Sequence, residues 1–133
     1  MQERRLYPRY QFTLPVGVHG PDGYRASVQS CEISVSGLGL AMSRAAVTAL
    51  AQGGTVLTPG DRLWVSLPGV PDSAVDDVPA VAAGRGLACR AVLVRRLALD
   101  QYIAAVAFVA PDAAQQRAIA ELVEQASQTH LQP

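Results

Sequence analysis

The sequence predicts a mainly β protein: a six-stranded antiparallel β-barrel with a C-terminal α-helix and a short helix between strands 3 and 4. Three observations carry this. Apolar residues alternate with polar or small ones in six separate runs, the period of half-buried strands. Short Gly, Pro and Asp groups separate most of those runs, which favours antiparallel neighbours. A helical apolar spacing closes the chain. Six strands with one apolar face each remove their exposed edges by closing into a small barrel.

The elements follow in order. Phe12, Leu14, Val16 and Val18 alternate through a first strand, 12–18, with Pro15 on the outward face as the mark of an edge or bulge. His19-Gly20-Pro21-Asp22-Gly23 is a turn, and a second strand runs from about Tyr24 to Ile33. Ser34-Val35-Ser36-Gly37 breaks the pattern. Leu38, Leu40 and Met42 resume it, with Gly39 and Ala41 on the other face. Ser43 caps a short helix through about Ala51. Thr58-Pro59-Gly60-Asp61 turns into a fourth strand on Leu63, Val65 and Leu67. Residues 68–84, with Pro68, Pro71, Pro79, Asp72, Asp76 and Asp77, read as a long, mobile loop. A fifth strand spans Gly86 to Leu97. Leu99-Asp100-Gln101 reverses the chain into a sixth, 102–109, with Ala104, Val106 and Phe108 on one face. Asp112 and Gln115 form a capping box, and Gln115, Ala118, Ile119, Leu122 and Ala126 line one helical face. The tail, 127–133, is expected to fray.

The 133 residues favour one domain, with its core in 4–126 and an N-terminal arm in 1–11. Eleven basic and eleven acidic side chains cancel, and every basic one is Arg. Zero net charge argues against bulk binding to DNA or to an acidic membrane, though not against a local basic site. No apolar run approaches the ~18 residues of a membrane span, and no apolar signal region follows Met1, so the expected location is cytoplasmic. Cys31 and Cys89 sit far apart in apolar runs and read as small buried hydrophobes; no metal site is expected. His19 lies in a turn and His130 in the tail, no nucleophile elbow exists, and a chain without Lys has no Walker loop. The chain is not expected to be an enzyme.

Two constellations remain. Arg4-Arg5-Leu6-Tyr7-Pro8-Arg9 crowds three guanidinium groups ahead of the first strand, suited to phosphates and to stacking on bases. An ordinary basic arm is the plainer reading of that segment alone. Cys31-Glu32-Ile33-Ser34-Val35-Ser36-Gly37-Leu38-Gly39 places a carboxylate and a hydroxyl on one face of an extended chain. The carboxylate can accept from the N1–H and N2–H edge of guanine, the hydroxyl can bond phosphate, and Gly37 permits close approach or positive φ. A polar connection punctuated by Gly is its plainer reading.

Together these segments resemble the PilZ domain, a bacterial receptor module for cyclic di-GMP. The family signature is R-x-x-x-R, followed some twenty to thirty residues later by [D/N]-x-S-x-x-G. Arg5-Leu6-Tyr7-Pro8-Arg9 matches the first part, and Glu32-Ile33-Ser34-Val35-Ser36-Gly37 matches the second at Ser34 and Gly37. The likeness extends over about 4–126 and implies a PilZ-like split barrel. It implies that Arg5 and Arg9 wrap the ligand, that the residue at 32 reads a guanine edge, that Ser34 holds phosphate or base, and that Gly37 lets the ligand approach. Glu32 departs from Asp or Asn, moving its acceptor outward by one carbon–carbon bond. Arg4, directly before the first motif, is associated in this family with a self-stacked ligand dimer. No further cofactor is implied. The implied mechanism is second-messenger signalling of the motility or biofilm kind: ligand orders the Arg arm, and the effect passes to a downstream protein or through self-association, including a homodimer. The alternative is a PilZ-like interaction domain of pilus or motility assembly that has lost nucleotide binding.

Overall fold

The computed structural model describes residues 8–72 and 86–131. Alternation along the chain becomes seven strands: β1 (Tyr10–Gln11), β2 (Pro15–His19), β3 (Arg25–Ile33), β4 (Gly37–Met42), β5 (Arg62–Ser66), β6 (Leu87–Ala98) and β7 (Gln101–Phe108). Helix α1 (Arg44–Ala49) lies between β4 and β5, and α2 (Ala113–Leu131) follows β7. The strands form one antiparallel sheet in the order β1-β3-β2-β5-β6-β7-β4, and a further β3–β4 pairing closes it. The result is the expected six-stranded barrel with one extra strand, β1.

That extra strand lies just before the predicted first run, 12–18, of which only 15–18 is strand. β1 and β2 pair with successive stretches of β3, Tyr10 opposite Ile33 and Pro15 opposite Gln29. Ser30 spans the interruption. Its buried hydroxyl accepts from Leu14 N–H at 2.9 Å and donates to the Phe12 carbonyl, doing for residues 12–14 what a ladder would do. Pro15 is exposed at the first position of β2, before pairing with β5 begins at Gly17.

Inside the barrel, Val16, Val18, Ile33, Leu38, Leu40, Leu63, Val65, Leu87, Ala104 and Val106 form one buried core. Ser43 caps α1 by accepting from Ala46 N–H at 3.1 Å. Asp112 and Gln115 make the reciprocal capping box of α2, at 2.8 and 3.0 Å. Ile119, Leu122 and Ala126 then bury the predicted stripe, with α2 lying against β1.

Two expectations differ, at the end of α2 and at Cys31. Helix α2 is formed through Leu131, past the Ser127 where the tail was expected to begin; no Gly or Pro intervenes before Pro133. Of the predicted 68–84 loop, residues 68–72 are described, and Gln115 holds them through a 3.1 Å bond to the Pro71 carbonyl. The rest of that loop, Arg4, Arg5 and most of the arm lie outside the described residues. Finally, Cys89 is buried as expected, but Cys31 is only half-buried, because the β3–β4 register slips by one residue there.

Candidate functional site

That slip at Cys31 aims the site. Ser30 and Ile33 both face the core, yet they are three residues apart, which strict alternation forbids. The register changes from Ser30 opposite Leu40 to Glu32 opposite Gly39, so Cys31 is a β-bulge. Without it, Glu32 would face Leu38 and point inward. With it, Glu32 faces outward over Gly39. A second slip, between Ala91 and Leu93 on β6, makes Val92 the extra residue and leaves it 52% exposed.

Between these bulges runs an open groove of about 180 Å³ on the outer face of the barrel. Arg9, Glu32, Ser34 and Gly37 all line it, together with Ser36, Gly39, Val92, Ala105 and Ala107. Four of the six site residues named from the sequence are thus brought together. Arg4 and Arg5 are the other two, outside the described residues.

Each member has a physical reason for its place. The Arg9 Nη1 donates to Glu32 Oε1 at 2.9 Å in an exposed ion pair. Ser34 is buried, and its hydroxyl accepts from Ser36 N–H at 3.2 Å and lies 3.0 Å from the Ser36 hydroxyl. Ser34 N–H also donates to the Gly37 carbonyl at 2.9 Å. Ser34 therefore shapes the turn, while exposed Ser36 presents its hydroxyl at the rim. Gly37 is needed for close approach and not for positive φ: a Cβ there would collide with the Val106 carbonyl oxygen of β7. Burial, and then the charge of Glu32, push the Cys31 thiol up, so it stays protonated beside the groove at neutral pH.

The groove can do specific chemistry. Arg9 has five donors and spends one on Glu32, leaving others for a phosphate or a purine edge. Glu32 keeps an oxygen for N–H donors. Ala105 and Ala107 provide a low floor, and Val92 an apolar wall against which a planar base can lie. Sequence reasoning did not select Gly39, Val92, Ala105 or Ala107. Gly39 carried a signal, a bare residue within a strand. Ala105 and Ala107 carried one too, since they alternate with the core residues Ala104 and Val106. Val92 carried none, because a bulge is a property of the pairing and not of one strand.

The PilZ domain family model matches residues 3–125. No curated protein matches the chain in sequence. Among solved structures, the Bacillus subtilis inhibitor of motility MotI/DgrA superposes with a TM-score of 0.61 at 15% identity, over 98% of this chain and 55% of that one. The PilZ domain of Escherichia coli YcgR with c-di-GMP gives 0.59 at 13% identity, over 96% and 94%. The K. pneumonia MrkH–c-di-GMP complex gives 0.56 at 15%, over 96% and 56%. The chain thus spans about half of MotI/DgrA and of MrkH, but nearly all of the isolated YcgR domain. At these identities the structural likeness speaks for the fold. A family match across most of the sequence, on a closed barrel whose motif residues share one groove, places this chain in the PilZ domain family.

Proposed function

We propose that this chain is a receptor module for cyclic di-GMP, binding it in the groove between the Cys31 and Val92 bulges. The observation that carries this is the convergence of Arg9, Glu32, Ser34 and Gly37, separate in sequence, on one open surface of a PilZ barrel. Two of the structural neighbours hold c-di-GMP. In this reading Arg9 takes phosphate or the purine edge, Glu32 accepts from guanine, and Ser34 and Gly37 set the turn against which the ligand lies. Arg5 and Arg4 complete the arm, with Arg4 reaching a second, stacked ligand molecule. The role is recognition and not catalysis, and it operates in the bacterial cytoplasm. Ligand fixes the arm over the barrel face and changes what that face offers a downstream protein or a second copy. Val92 and Leu93, exposed on β6, give that contact apolar surface at the edge of the groove.

The existing Arg9–Glu32 pair does not oppose binding. An exposed ion pair is worth about 0.2–1 kcal/mol, which one charge-assisted bond to a ligand exceeds. Calorimetric titration with cyclic di-GMP, with GMP as control, tests the proposal. The wild type binds, Arg9→Ala loses binding, and Glu32→Asp retains or improves it. A stoichiometry near one ligand per chain counts against the stacked dimer. No wild-type binding at tens of micromolar ligand, roughly −6 kcal/mol, transfers the chain to the interaction-domain reading. In that case the mutual satisfaction of Arg9 and Glu32 is the resting structure of a site that no longer takes nucleotide.

A further inference from the structure

Glu32 and Gly39 are direct cross-strand partners on the outer face of β3 and β4. A Cβ built on Gly39 would lie 3.0 Å from Glu32 Cγ and 3.8 Å from its Cδ. The stem of Glu32 therefore runs across the place where any other residue at 39 would carry its side chain. The same Glu32 meets Arg9 at its far end, 2.9 Å away, and all three residues line the groove. Gly37, the other outward glycine of β4, is constrained by backbone, whereas Gly39 is constrained by the side chain of Glu32.

We infer that Gly39 is a positioning residue for ligand recognition: its missing side chain lets Glu32 lie flat across β4 and present its carboxylate, and through it Arg9, at the height the groove requires. The inference rests on the reading of the groove as a cyclic dinucleotide site. The chemistry is local. A methyl group at 39 moves Glu32 Cγ by a few tenths of an ångström, and a lever of two further bonds enlarges the shift at the carboxylate. Hydrogen bonds weaken steeply with distance and misalignment, so a guanine-edge contact and the Arg9 contact both suffer. A side chain with no Cγ at position 32 has nothing for that methyl to lift.

The experiment is a double-mutant cycle: wild type, Gly39→Ala, Glu32→Ala and the double variant, each titrated with cyclic di-GMP and each first checked for folding by circular dichroism. Gly39→Ala weakens binding about tenfold in the Glu32 chain, the loss of one good bond to a charged group. In the Glu32→Ala chain the same substitution changes affinity by less than about twofold, as for independent sites. Equal losses in both backgrounds mean that the methyl obstructs the groove by itself, and overturn the inference. So does no loss in either. The Arg9 guanidinium NMR signal repeats the cycle without ligand: it moves with Gly39→Ala only where Glu32 is present. If the wild type binds no ligand, or Glu32→Ala abolishes binding, this signal decides. A wild type that fails to bind thus removes the receptor proposal, while an Arg9 signal indifferent to residue 39 removes the role of Gly39.

Discussion

Ser30 and Gly37 show how single residues hold the site in place. Ser30 has a buried hydroxyl bonded on both sides, to Leu14 N–H and to the Phe12 carbonyl. Ser30→Ala orphans both backbone groups and costs about 1–3 kcal/mol, measured by urea unfolding at neutral pH. An unchanged midpoint would mean that water replaces the hydroxyl. Gly37→Ala drives a methyl into a backbone carbonyl of β7, which cannot rotate away. The expected cost is again about 1–3 kcal/mol, with β4 and β7 losing amide exchange protection around Val106. At this scale the sequence is informative about chemistry and silent about aim. Arg9, Glu32, Ser34 and Gly37 are recognisable because their donors, acceptors and lack of bulk are properties of residue type. That Glu32 points outward, and that Ser34 spends its hydroxyl on Ser36, depends on a bulge and a turn that alternation does not encode.

The elements were largely legible, since period-two and helical spacing reflect which side chains leave water. Where the reading of an element changed, pairing changed it. The predicted first strand contains the right inward residues, Val16 and Val18, but it begins only at Pro15, after a stretch that the Ser30 hydroxyl helps to hold on β3. Cys31 follows the apolar pattern of its strand yet lies outside the core, displaced by the extra residue of the bulge. Helix α2 was legible at its start because a capping box has a sequence form; it runs on past Ser127 to Leu131 because polar composition alone does not stop a helix. Gln115 gives this element a test. It is buried, closes the box on Asp112, and holds the Pro71 carbonyl. Asp112→Ala costs about 1 kcal/mol, the usual loss of a helix cap. Gln115→Ala costs more, about 1–3 kcal/mol, because it also leaves buried polar groups unpaired. Thermal unfolding of the two variants ranks them, and equal values would show that the Pro71 bond carries no stability.

On the scale of the molecule, closing the sheet leaves the described Arg, Asp and Glu side chains out of the core and seals a thiol within. Cys89 is fully buried among core residues of β6, and its burial pushes the thiol well above its ordinary range. In the unfolded chain the same thiol ionises near its usual value of about 8.5. Below that pH both states hold the proton, and Cys89 adds no pH dependence. Above it the unfolded chain releases a proton that the folded barrel keeps. Fewer protons are then bound in the unfolded state, so stability falls as pH rises, by up to about 1.4 kcal/mol per pH unit for one thiol. Cys31, half-buried, contributes with the same sign, through burial and then the charge of Glu32. Urea unfolding under reducing conditions between about pH 7 and 9.5, a window placed below tyrosine ionisation, tests this. The wild type holds its stability to about pH 8 and then loses it progressively. Cys89→Ala starts lower, because a small cavity replaces the sulfur, but it declines less steeply over the same window. Parallel profiles for the two proteins would mean that Cys89 can ionise inside the folded barrel, and that the closed sheet admits water at β6 next to the bulge that forms one wall of the groove.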